Sequence, residues 1–97
     1  MKVMYLLSIL LIGATAIAEE RSAEQIYNAT CVTCHSTGVA NAPKTNEEAE
    51  WKARNKSIAE FVASSKKGLN AMPPMGLCTD CSDKELKKTI EFMMKKK

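Results

Sequence analysis

Cys31, Cys34 and His35, in the order Cys-Val-Thr-Cys-His, are the residues whose types and spacing carry the most chemistry. Two thiols three positions apart can each add to one vinyl group of a porphyrin. An imidazole that follows directly then lies under the ring plane and can ligate iron. Cys-x-x-Cys-His is accordingly the attachment signature of c-type haem. A thioredoxin-like dithiol would need a βαβ context, and no β-rich run surrounds the motif. Cys78-Thr79-Asp80-Cys81 supplies a second pair and so a zinc alternative, but residues 35–77 lie between the pairs. That gap far exceeds the roughly 15–20 residues of a zinc ribbon.

Iron held by one histidine needs a second axial ligand or keeps an open position. A thioether is a soft ligand that raises the potential relative to an imidazole. Met93 and Met94 fall in the last predicted helix and read as core filler or surface. Met72 and Met75 instead flank Pro73-Pro74 in a loop, where a packing role is less natural. The proline pair restricts φ and can hold a thioether in one place. One of these two is the expected sixth ligand, and local chemistry does not choose between them.

The chain starts Met1-Lys2, continues with an apolar run from Val3 to Ile12, and reaches Ala16-Ile17-Ala18. A basic start, a short apolar stretch and a small-residue ending make a secretory signal peptide, with cleavage expected after Ala18. The apolar run is shorter than the ~20 residues that span a bilayer, so a retained anchor is the lesser alternative. Residues 19–97 then form one domain. Chains of about this size rarely hold together on an apolar core alone and usually need a staple. Tyr27, Trp51, Phe61 and Phe92 are its aromatics, so a covalently held haem would supply the missing centre. The 14 Lys and Arg against 11 Asp and Glu give a formal net charge of +3. With no Arg cluster interleaved with aromatics, nucleic acid is not an expected partner. Lys95-Lys96-Lys97 reads as a solvated helix end complementing the macrodipole.

Four segments carry a Ser or Thr followed three residues later by Glu or Gln, the capping-box pattern. They are Ser22/Gln25, Thr45/Glu48, Ser57/Glu60 and Ser82/Glu85. The pattern predicts helices starting near residues 23, 46, 58 and 83. No segment alternates apolar and polar residues over strand length, so the expected fold is all-α. The first helix carries Ile26 and Tyr27 into the Cys-x-x-Cys-His motif. The third places Ile58, Phe61 and Val62 on one stripe and should stop at Gly68, with Lys66 and Lys67 in its last turn. The last places Leu86, Ile90 and Met93 on one face. Between them, Asn70 to Leu77 holds two prolines and a glycine and reads as a loop.

Taken together, these motifs resemble cytochrome c5, a small monohaem group of the class I c-type cytochromes. The resemblance covers essentially all of residues 19–97. It rests on the Tyr27 helix, Cys31 to His35, Gly38, Ala42-Pro43, Trp51, Ala71-Met72-Pro73-Pro74, Gly76, Cys78, Cys81 and the Ser82–Leu86 helix start. It implies about four helices packed around one covalent haem c, with His35 and Met72 as axial ligands. It also implies a disulfide between Cys78 and Cys81, and a hydrogen bond from His35 Nδ1 to the Pro43 carbonyl. Trp51 would pack at the haem edge with its indole N–H toward a propionate, or else be an ordinary core tryptophan. Met75 is a departure, standing where the group commonly has a basic residue.

The function these features imply is a periplasmic single-electron carrier and not an enzyme. Its partners would be redox proteins (a terminal oxidase, a reductase or another cytochrome) docking at the exposed haem edge. Membranes enter only through membrane-bound partners. The alternatives are a haem sensor or peroxidase-like protein with a labile Met72, and a zinc or reversible dithiol module built on the two Cys-x-x-Cys pairs.

Overall fold

The computed structural model describes residues 20–95. The expected signal peptide, residues 1–18, lies outside them. The first helical stretch begins as α1 (Ala23–Ile26), widens into a π segment (Tyr27–Cys31) and closes as α2 (Val32–His35). A 3-10 turn (Val39–Asn41) leads to α3 (Glu48–Lys52) and α4 (Ile58–Lys67). A second 3-10 turn (Pro74–Leu77) precedes the last helix, α5 (Asp83–Met94). The described residues contain no strand, only an isolated bridge between Leu69 and Met72. The fold is all-α, as expected.

Three of the four capping boxes form with both hydrogen bonds, at Ser22/Gln25, Ser57/Glu60 and Ser82/Glu85. Each satisfies orphan N–H groups of a first turn. The fourth does not form. α3 begins at Glu48, with Glu47 at the cap position and no side-chain cap. The Thr45 hydroxyl that should have capped it bonds instead to the His35 carbonyl at 3.1 Å and the Tyr27 hydroxyl at 2.9 Å. A tertiary demand overrides the local pattern there.

α4 ends at Lys67, and Gly68 follows at φ 92. A Cβ on Gly68 would lie 3.0 Å from Pro74 N and 3.2 Å from Met72 O. The glycine therefore stops the helix and lets the Met-Pro-Pro segment approach its end. The segment from Asn70 to Leu77, expected as loop throughout, contains the 3-10 turn at its far side.

α5 packs against α1 and α4. Its expected stripe is buried, with Leu86, Ile90 and Met93 all 5 % exposed or less. Tyr27, Trp51, Phe61, Ile90 and Met93 make one core cluster, on which Ile58 and Val62 also pack. Ile26, Cys78, Cys81 and Leu86 make the other. Glu20 and Arg21 strap the start of the described chain to α5. Glu20 pairs with Lys84 and Lys88, and Arg21 forms two parallel bonds to Glu85, Nε to Oε2 and Nη2 to Oε1, each 3.0 Å. Bidentate guanidinium–carboxylate pairs are the stronger kind. The Glu85 carboxyl is held down at about 2, chiefly by Arg21 and secondarily by the Ser82 N–H.

Candidate functional site

A cavity of about 430 Å³ opens between the first helical stretch, the Met-Pro-Pro segment and α5. That is within the 300–1,000 Å³ range of ligand and cofactor pockets. Cys31, Cys34 and His35 line it, as do Met72, Met75 and the buried stripe of α5. The Cys-x-x-Cys-His motif and the methionine loop, separate in sequence, thus share one apolar space.

The π segment ends on Cys31, with the Val32 N–H reaching back to the Tyr27 carbonyl. Single π turns inside helices frequently mark functional sites. Thr30 Oγ1 donates to the Ile26 carbonyl at 3.0 Å, satisfying a backbone group at the start of that turn. Cys31 and Cys34 are free thiols, both half-buried. Burial pushes the Cys31 thiol up, against a weaker opposing bond from Thr30.

His35 is buried, and its Nδ1 donates to the Pro43 carbonyl at 2.7 Å. That bond orients the ring and leaves Nε2 with its lone pair, the arrangement found behind metal-binding histidines. Burial lowers the His35 pKa, more than the Pro43 contact raises it, which favours the neutral imidazole that can ligate a metal. The peptide carbonyl of His35 is also tied down. It accepts from the Thr45 N–H at 2.8 Å and from Thr45 Oγ1 at 3.1 Å. Sequence reasoning missed Thr45, because its capping-box spacing pointed elsewhere.

Trp51 departs from the expectation that its indole N–H faces a propionate. Nε1 donates to the Lys44 carbonyl at 2.9 Å. The ring is 4 % exposed, stacks near His35 at 5.6 Å between centroids and meets Phe61 edge-on at 5.4 Å. Trp51 is a core residue that braces the histidine.

Met72 is fixed at its backbone by reciprocal bonds with Leu69, 2.8 and 3.0 Å. Met75 lies in the same cavity wall, and its side chain packs on the cluster of Ile26, Cys78, Cys81 and Leu86. Cys78 and Cys81 are joined to each other, with Cα atoms 5.4 Å apart. No group of three or more His, Cys, Asp or Glu side chains is placed to hold a metal ion among the described residues. The zinc alternative has no geometry to support it. The donor set instead suits haem: two unpaired thiols beside an oriented, neutral imidazole, an apolar cavity, and thioethers in the facing loop.

Known proteins agree with that fit. Residues 18–93 match the family described as cytochrome c oxidase, cbb3-type, subunit III. Cytochrome c5 of Azotobacter vinelandii is similar at 47% identity, covering 75% of this chain and 92% of that one. A mono-haem ferrocytochrome c from Shewanella putrefaciens is similar in structure, with TM-score 0.70 and 52% identity, covering 82% of this chain and 100% of that one. A cytochrome c solved in an electron-transfer complex with nitrite reductase is also similar, with TM-score 0.67 and 35% identity, covering 78% of this chain and 95% of that one. The chain therefore belongs to the cytochrome c5 group of class I c-type cytochromes and carries one covalently attached haem c.

Proposed function

We infer that this cytochrome is a periplasmic single-electron carrier whose haem iron His35 and Met72 would ligate. The observation that carries the reading is the shared cavity. It brings the Pro43-oriented imidazole together with a thioether whose backbone is pinned to Leu69. Bound haem supplies a one-electron ferric/ferrous couple. Cys31 and Cys34 tether it through thioether bonds. His35 Nε2 would ligate the iron while Nδ1 stays fixed on Pro43. The Met72 thioether would be the second protein ligand, leaving no open site for oxygen or peroxide. Leu86, Ile90 and Met93 keep water from the cavity's back wall.

Of the two methionines, Met72 suits the ligand role because Met75 is engaged with the disulfide cluster. The Cys78–Cys81 bridge is structural in this reading. Export with cleavage after Ala18 places the protein where such bridges persist. Glu20 and Arg21 are already docked on α5, so the folded domain would begin directly after the cleavage point.

Val39, Leu69 and Leu77 are exposed at the cavity mouth, 49%, 45% and 65% respectively. They suit a small, transient apolar contact with a redox partner. The nitrite reductase complex of the related cytochrome makes a reductase one candidate class of partner, beside a terminal oxidase or another cytochrome. Mixing the reduced holoprotein with candidate reductases in a stopped flow tests the reading. Rapid oxidation by one of them, with negligible peroxide turnover by the cytochrome alone, is expected. Sustained peroxidase turnover by the native protein at neutral pH would overturn it.

A further inference from the structure

The stretch between the Met-Pro-Pro segment and the disulfide holds the longest left-handed run among the described residues. Met75, Gly76 and Leu77 follow one another at φ 64, 56 and 73. In that region a Cβ crowds the following carbonyl, and glycine alone adopts it freely. Two of the three residues carry side chains. Leu77 is 65% exposed, so its own packing does not hold it there. Such backbone persists only where its surroundings over-determine it, and it gathers at functional sites.

The surroundings are visible at both ends. Upstream, Pro73 accepts from the Gly76 N–H at 2.9 Å. Downstream, the Cys78 N–H donates to the Met75 carbonyl at 2.9 Å, and the Cys78 sulfur is bonded to Cys81. Both half-cystines are buried with Ile26 and Leu86, and the Met75 side chain rests on them. The bridge thereby anchors the downstream end of the turn to α1 and α5. The turn in turn touches the ligand side chain: a Cβ on Gly76 would stand 3.0 Å from Met72 Cε. Gly76 is the wall behind the thioether methyl.

We propose that the Cys78–Cys81 bridge is a positioning element for the Met72 thioether, acting through the strained turn at residues 75–77. The proposal rests on the reading of Met72 as the sixth ligand. Without the bridge the turn relaxes, the wall at Gly76 moves, and Met72 is held less firmly. Attachment at Cys31, Cys34 and His35 is untouched.

The test uses holoprotein and imidazole, an external ligand that competes with Met72 for the iron. C78A/C81A should take up imidazole with about tenfold higher apparent affinity, the equivalent of one modest conformational constraint. Its reduction potential should fall while its helical circular dichroism stays native. Adding Leu77→Gly, which makes the turn tolerable without the bridge, should return the affinity toward that of the wild type. Ser57→Ala, which weakens the α4 cap far from the loop, should lower the thermal midpoint and leave imidazole affinity unchanged. If C78A/C81A lowers only the thermal midpoint, the bridge is a staple and the proposal fails. If C78A/C81A does not accumulate, Leu77→Gly alone should lower imidazole affinity in the bridged protein, and an unchanged value refutes the proposal. A Met72→Ala protein that keeps its methionine–sulfur band would sink the ligand assignment and this proposal together. Loss of that band beside an unaltered C78A/C81A would sink this proposal alone.

Discussion

The setting of His35, the proposed histidine ligand, is made by groups outside the proposed ligand set. Its Nδ1 is held by Pro43 and its carbonyl by Thr45, which also reaches Tyr27. Thr45→Val removes the hydroxyl from a half-buried network and should cost about 1 kcal/mol of stability, measured by denaturant unfolding. The potential should barely move, because the Pro43 bond survives. Met75→Ala should leave the methionine–sulfur band in place, since the Met75 side chain faces the disulfide cluster; loss of the band would move the ligand assignment to Met75. Glu85 carries a pH prediction. Its carboxyl is held at about 2 in the folded protein, mainly by Arg21, against 4.5 ordinarily. A carboxyl depressed in this way stabilises the fold fully above its ordinary value, and that contribution disappears as pH falls through the window down to about 2. Glu85→Gln should thus lower the thermal midpoint at pH 7, and its difference from wild type should shrink steadily between pH 5 and 2. A difference independent of pH would contradict the assignment.

Helix starts were legible in the sequence where the cap is a local bargain between positions three apart. Ser22, Ser57 and Ser82 need only their own first turns, and all three boxes form. Thr45 has the same spacing but a distant obligation to the His35 carbonyl, so α3 starts later and uncapped. Long-range demands of this kind leave no trace in a short window. The same holds for Arg21 and Glu85, 64 positions apart, and for the Trp51 indole, which takes the Lys44 carbonyl. The left-handed Met75 and Leu77 were equally hidden, because neither residue type signals that geometry. The stop at Gly68 was legible as a helix end, while its close approach to the Met-Pro-Pro backbone needed the fold. Ser82→Ala should destabilise by about 1 kcal/mol, typical of a lost cap, and more than Ser57→Ala. The reason is that the Ser82 box shares Glu85 with Arg21. Equal losses in chemical denaturation would show that the cap and the strap act independently.

At the scale of the molecule, Leu86 of one core cluster and Ile90 and Met93 of the other line the cavity, so bound haem would complete the core that these side chains begin. Replacing Cys31 and Cys34 by Ala should therefore give a protease-sensitive product without a cooperative unfolding transition. A stable, cooperatively unfolding apoprotein would contradict this. What the motifs conveyed from sequence was the cofactor and its tether; local chemistry left Met72 and Met75 open, the resemblance implied Met72, and the packing of Met75 on the disulfide cluster supports that reading. The carrier reading depends on a methionine filling the ligand site that His35 leaves, because an open site would suit a haem enzyme. The most direct measurement is the visible spectrum of the ferric holoprotein, native and Met72→Ala, at neutral pH. The native protein should show a low-spin c-type spectrum with the methionine–sulfur charge-transfer band, and Met72→Ala should lose that band. High-spin bands in the native protein, or a band that survives Met72→Ala, would contradict His35/Met72 ligation.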